Sequence, residues 1–322
     1  MVWNDLADTN GSEIGSDDPS DEIVPDKITA YKMQSRRQFR TKAWSTMDLT
    51  SELAGDNPMQ RILSRVSDWW ARDFNKIAIA TLNGVINENV QTNSGDMVYV
   101  SGVGTGGSTT PTGAISADVV LDAAQTMGDK SGMLSLLMIH SVVYNKIQKL
   151  NLIDFIPDAR GEVNIPTYMG KQLLVSDTLP VTSLGGGDYA YTSYLSAPGI
   201  LGFGESPPDT PVETERKPAK GMGTGMEVLY TRRQFALHPL GHNWTESSVA
   251  GQFPTNTELE AHANWERKFP ERKQFPFVAI ITKNGWRECA VLVIFQYRTF
   301  LYDLRKQWRR NLPISRRLVM AK

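Results

Sequence analysis

A single cysteine, Cys289, excludes an intrachain disulfide and a cysteine-built metal site. That usage suits a reducing compartment. Because Cys289 abuts the apolar run Ala290 to Phe295, it is expected to be a buried small hydrophobe rather than a nucleophile. The same run is the longest apolar stretch, far short of the roughly 20 residues that span a bilayer. The amino end is acidic and has no apolar core segment, so a secretory leader is not expected. A soluble protein of cytoplasmic origin is the expectation. There is no basic excess either: 34 Lys and Arg stand against 35 Asp and Glu, which argues against a simple nucleic-acid binder.

Catalytic signals are equally sparse. Gly102-Val-Gly104-Thr-Gly106-Gly107 invites a phosphate-loop reading, but such a loop must open directly into a helix. Here it runs into Ser-Thr-Thr-Pro-Thr-Gly, no helix is expected before Ser116, and no Gly-Lys-Ser/Thr occurs. A flexible loop is the better reading. His238 and His242 have the i, i+4 spacing of a zinc pair. Pro239 and Gly241 break a helix there, and no Glu sits beside His238 to act as base. His140 and His262 stand alone and read as core-edge or surface residues. No Ser/His/Asp arrangement stands out.

What is present is enough apolar residue for a core, at 40%, and a polarised charge distribution. Residues 1–26 hold eight acids and no base; residues 286–322 hold nine bases and two acids. Such tails either stay solvated or engage neighbours.

The clearest element starts at Asn57-Pro58, an N-cap followed by proline at the first helical position. Met59, Leu63, Val66, Trp70, Phe74, Ile77, Thr81 and Val85 then recur at spacings of three and four, which predicts one helix face from 58 to about 86. At 1.5 Å per residue this is a rod of roughly 43 Å, suited to an elongated subunit. A short helix over 48–55 closes on Gly55, and residues 27–49 suit a two-stranded excursion. Helices are expected over 116–127 and 141–150. Strands are expected over 133–139, 173–175 (both buried), 189–194, 226–235 and 277–282. Tyr230 to Pro239 alternates as a strand of a half-buried sheet does. The order is mixed α and β, without the alternation of a doubly wound sheet.

Several blocks, in order, resemble the major capsid protein of tailed bacteriophages, with the Hong Kong 97-type fold. They begin with Trp3-Asn-Asp-Leu6 and Ser16-Asp-Asp-Pro19. Arg40 to Leu49, Ala54 to Met59, Trp69-Trp70 and Leu82-Asn-Gly-Val85 follow. Next come the 140–182 block, Ala197 to Glu205, Val212 to Arg216, and Arg232-Arg-Gln-Phe235 running into His238 to Trp244. Pro254 to Leu259 and Trp265 to Lys268 close the series. Two departures are visible. The match begins almost at Met1, where relatives carry a longer arm, and relatives stop near Lys283 to Gly285, whereas this chain continues.

The resemblance implies an α+β capsid subunit that is not an enzyme. Its parts would be an acidic arm (1–26), an extended two-stranded E-loop (27–56), and a peripheral domain with the long spine helix (57–114). An axial domain (115–225), a return through the peripheral domain (226–284) and an atypical basic extension (285–322) would complete it. The implied function is a self-assembling icosahedral shell around double-stranded DNA, built of hexamers and pentamers. Scaffolding, portal and decoration proteins would be further partners, and DNA contact would be non-specific. The place would be the virion, after assembly in the host bacterial cytoplasm. An encapsulin-like compartment shell is the alternative within the fold, and a soluble enzyme with a glycine-rich phosphate loop the remote one. Charge makes Arg36, Arg37, Arg40 and Lys42 of the E-loop the candidate interface residues, with acids of a neighbouring subunit as partners. No catalytic, cofactor or metal residue is assigned.

Overall fold

The computed structural model describes residues 2–3, 12, 14–23, 30–106, 110–150, 153–157 and 164–285. Cys289, the apolar run after it and the basic extension lie outside them, as do the ends of the 151–163 stretch and most of the acidic arm.

Helix α1 (Asp48–Ala54) ends on Gly55, whose φ of 64° supplies the left-handed cap that glycine adopts without penalty. Helix α2 (Pro58–Thr92) begins as its cap residues dictate: the Asn57 side chain accepts from the Met59 and Gln60 amides. It runs 35 residues, about 52 Å, longer than expected. The extension follows from its far end, where Asn89 replaces lost helix bonds. Asn89 Oδ1 accepts from the Met97 amide (3.0 Å) while its Nδ2 donates to Asp96 (2.6 Å). Helix α3 (Ala117–Gln125) is capped by Ser116, as expected. Helix α4 (Ser141–Lys149) is capped by His140, whose Nδ1 accepts from the Val142 amide. His140 is therefore a helix cap at the core edge. Helix α5 (Asn256–Glu260) opens with a capping box between Thr255 and Glu258.

The central layer is a nine-stranded mixed sheet. Its two middle strands, Phe277–Gly285 and Asp188–Ser196, pair antiparallel along their length. Val98–Val100 and Gly104–Thr105 extend it on one side. Leu136–Ile139, Lys171–Val175, Asn164–Tyr168 and Asp154–Pro157 follow on the other, with Val181–Gly185 also pairing to Asp188–Ser196. The strand period of two then divides the core. Phe277, Ala279 and Ile281 join Ala190 and Tyr194 in a cluster with the second half of α2. Val278 and Ile280 join Tyr191 and Leu195 in a cluster with α3 and α4.

Three expected elements differ in detail. The run 133–139 is a strand only over Leu136–Ile139, because Gly128–Met133 forms a 3-10 turn first. The 173–175 strand exists, but only Leu173 is buried: Leu174 points to the opposite face of the sheet and is exposed, and Val175, on the face of Leu173 but at the strand's end, is exposed as well. Residues 27–49 do not pair with themselves among the described residues. They supply a two-residue strand, Ala30–Tyr31, paired with Val2–Trp3, and one long strand, Arg37–Met47, whose partner is Met226–Pro239. Leu201–Glu205 and Val212–Lys217 complete this second, four-stranded sheet on the other edge of Met226–Pro239. The glycine-rich segment is in part an ordered hairpin, Val98–Val100 against Gly104–Thr105, and α3 starts only at Ala117.

Candidate assembly surface

The candidate surface is the small sheet together with the first half of α2, which crosses it. Aromatic side chains make the joint. The Trp70 indole Nε1 donates to Thr231 Oγ1 at 3.1 Å, and Trp70 is buried. Phe74 meets Phe203 and Phe235 edge-on. On the other flank Trp44 of the Arg37–Met47 strand stands edge-on to Trp69 at 5.4 Å, and Trp69 to Trp70 at 5.0 Å. Such pairs add about 1 kcal/mol each beyond area burial. They fix α2 along one line and leave the rest of its first half exposed.

The four interface candidates divide into two pairs. Arg36 pairs with Glu246 at 3.1 Å and donates to the Gln252 carbonyl at 2.6 Å. Arg37 lies over the Phe253 ring at 5.7 Å. Arg40 and Lys42 turn toward α2. Burial holds the Arg40 guanidinium below its ordinary range, with Asp73 opposing the shift; Lys42 Nζ sits 5.6 Å over Trp69. Each candidate thus already has a contact within its own chain. The sheet carries further pairs: Arg232 with Glu213 (2.8 Å), Arg216 with Asp48 (2.5 Å) and, on the side of α2, Arg233 with Glu205 (3.1 Å), the Arg233 guanidinium also lying 5.7 Å over the Trp70 ring. Exposed pairs of this kind contribute at most about 1 kcal/mol each, less in salt.

Two grooves flank α2. One, of about 520 Å³, is apolar and lies between Trp70, Phe74 and Ile77 on the helix and Phe203, Phe235 and Leu237 on the sheet. The other, of about 400 Å³, is lined by Trp44, Ile62, Val66 and Trp69 with Arg61, Arg65 and Arg72 around them. Sequence reasoning passed over these arginines. The signal was there: 61, 65, 69 and 72 recur at spacings of four and three, on one helix face.

Catalytic alternatives fare poorly in the geometry. His238 and His242 flank a strand-to-strand turn, not a helix. His242 is fully buried against the Phe275 ring, with Nδ1 3.0 Å from the Leu240 carbonyl. Burial pushes its imidazole down to about 4. Among the described residues no three His, Cys, Asp or Glu side chains gather as metal ligands would. None of the described helices is long and apolar enough to cross a membrane.

Beside them, residues 88–97 and 265–277 build a structural knot. Arg267, almost fully buried, donates to both oxygens of Asp96 (3.1 and 2.8 Å). Arg272 donates to the carbonyls of Asp96, Phe275 and Phe277, so one guanidinium ties α2's exit loop to the central sheet. Gly84 marks the closest approach. A Cβ there would lie 2.0 Å from the Leu259 carbonyl and 2.3 Å from Trp265 Nε1.

Comparison with known proteins agrees with this architecture. A curated major capsid protein of Bacillus phage SPP1 is 38% identical over 272 residues, covering 84% of this chain and 78% of that protein. The capsid of Ralstonia phage GP4 matches with a TM-score of 0.56 at 9% identity, over 87% of this chain and 81% of that one. The capsid asymmetric unit of cyanophage Pam1 matches with a TM-score of 0.54 at 8% identity, over 88% and 84%. The two structures share the fold, which is that of phage capsid subunits. The family model described as Gp13-like, major capsid protein 13-like, matches residues 56–278. Those bounds run from the residue before the N-cap of α2 through most of the small sheet, the knot and the first two residues of the Phe277–Gly285 strand, and the chain belongs to the Gp13-like family of major capsid proteins.

Proposed function

We propose that this chain is the coat subunit of a tailed phage or prophage, many copies of which close into an icosahedral shell around double-stranded DNA. The observation that carries the reading is the family match across residues 56–278, which covers every element that builds the assembly surface except the Arg37–Met47 strand and α1. The work of such a subunit is mechanical, and the aromatic joints and charge pairs of this surface suit it.

Within that reading the parts take the roles the sequence suggested. Residues 1–26 act as an arm and 27–56 as the E-loop. Residues 57–114 and 226–284 form the peripheral domain, and 115–225 the axial domain. Residues 285–322 are an added tail. Arg36, Arg37, Arg40 and Lys42 lie on or beside the long edge strand, Arg37–Met47, whose outer edge is unpaired among the described strands. An edge of that length is a surface for another chain, and these cations would favour an acidic one. Closed symmetry then multiplies modest contacts into a strong shell. Scaffolding, portal and decoration proteins are the expected partners during assembly in the host cytoplasm, and packaged DNA is touched through its backbone only.

Negative-stain microscopy of the full chain after size-exclusion chromatography tests this. Closed shells or capsomer rings are expected; a monodisperse monomer at every protein concentration overturns it.

A further inference from the structure

The groove beside Trp69 has features that the chain's own contacts leave unused. Arg61 is paired with Asp56, but Arg65 and Arg72 are exposed and, among the described residues, form no ion pair; Arg72 donates there to the Asp68 carbonyl. Between them lies an apolar floor of Ile62, Val66, Trp69 and Trp44, with Lys42 on the rim above Trp69. Along the helix axis Arg65 and Arg72 are about 10 Å apart, seven residues at 1.5 Å. A cation pair bracketing an aromatic floor suits a compact anion with an apolar flank.

The same chain carries such a segment. Asp18 to Asp21 form a turn with Pro19 at its second position, closed by the Asp21 amide to the Asp18 carbonyl at 3.1 Å. Turn ends approach within about 7 Å, so Asp17, Asp18, Asp21 and Glu22 gather into one acidic knuckle. Among the described residues none of these four carboxylates forms an ion pair, and the Asp18 carboxylate is held by Ser20. Two large apolar side chains flank the knuckle, and both are largely exposed: Ile14 at 96% and Ile23 at 77%. Acid knuckle and isoleucines mirror the groove's arginines and its Trp, Ile and Val floor. In its own chain the segment is exposed rather than seated.

We propose that the acidic knuckle of a second copy, residues 14–23, docks in the groove between Arg65 and Arg72, with Ile23 or Ile14 on the Trp44–Trp69 floor. This rests on the shell reading, which supplies the second copy. It goes beyond that reading by giving arm and groove definite residues. A nucleic-acid phosphate is the competing occupant by charge, but it would leave the apolar floor unused.

The test is fluorescence anisotropy of a labelled peptide of residues 12–24 on the full chain. Saturable binding is expected, weakening with added salt. Arg65→Glu with Arg72→Glu should weaken it at least tenfold without moving the melting temperature, both side chains being exposed. A peptide carrying Asp17→Lys and Asp21→Lys should fail on the parent chain and bind the reversed one. Equal binding to both proteins, or no recovery in the swapped pairing, overturns the proposal. So does a result in which the double reversal abolishes binding of a short duplex oligonucleotide and leaves the peptide untouched. The shell reading fails separately, through absence of particles from the unaltered chain.

Discussion

The two halves of α2 have one backbone geometry and opposite surroundings. From Ile77 to Asn89 nearly every face is buried, including Val85 at 0% and Leu82 at 2% exposure. From Pro58 to Lys76 only Met59 and Trp70 are buried, and Leu63, on the apolar stripe the sequence defines, is 52% exposed. The second half is held by the central sheet, α5 and the Arg267–Asp96 knot. The first half rests on the small sheet along a single aromatic line. Helical periodicity therefore marks which residues share a face, not what covers it.

Substitutions can break this contrast. Leu82→Ala should cost the most, about 3 to 4 kcal/mol, because a fully buried leucine leaves a cavity. Chemical denaturation measures it, and a loss below about 1 kcal/mol would mean that the buried half is not packed as described.

Acid should strain the same end. His242 ionises near 6.5 in the unfolded chain and is pushed down to about 4 when folded. Burial is the main cause. Arg267 and the neighbouring His238, itself lowered by burial, act in the same direction, while the Leu240 carbonyl and Asp96 oppose. The unfolded chain thus binds the proton first. Stability is full above pH 6.5 and falls toward pH 4, by on the order of 3 kcal/mol. Denaturant midpoints across that window should shift accordingly, and His242→Gln should flatten the slope.

Gly84→Ala should follow, at about 2 kcal/mol, since the added methyl must displace the Leu259 carbonyl or the Trp265 indole. In most helices the same change stabilises, so a higher melting temperature would refute the close approach. Trp70→Phe removes the donor to Thr231 and should cost about 1 kcal/mol, visible as a small shift in thermal melting. Leu63→Ala should be the mildest, within about 0.5 kcal/mol, while lowering particle yield if the exposed half faces a neighbour. A cost equal to that of Leu82→Ala would erase the distinction between the halves.

Local signals were legible because their physics is local. Asn57 and Pro58, Gly55 and Ser116 bound the helices where capping chemistry places them. The alternation in Phe277–Gly285 tells that one strand feeds two cores. The candidate cations were legible as charges on one segment, but not their partners: Glu246 and Gln252 for Arg36 lie more than 200 residues away. The Arg65 and Arg72 stripe was legible as spacing and gained meaning only when Trp44 was brought beside Trp69. His238 and His242 looked like ligands by spacing alone, and the turn between them sends one to the Trp265 ring and the other to Phe275.

The sequence by itself determined the capped starts of α2, α3 and α4, the strand periods and, through ordered blocks of resemblance, the capsid class. These rest on neighbours within a few residues or on likeness along the chain. Only the tertiary structure decided that Arg37–Met47 pairs with Met226–Pro239, that Asp96 meets Arg267, and that half of α2 is left uncovered. Those outcomes depend on contacts between residues more than 150 positions apart, whose pairing is set by the burial and hydrogen bonding of the whole fold rather than by any local preference.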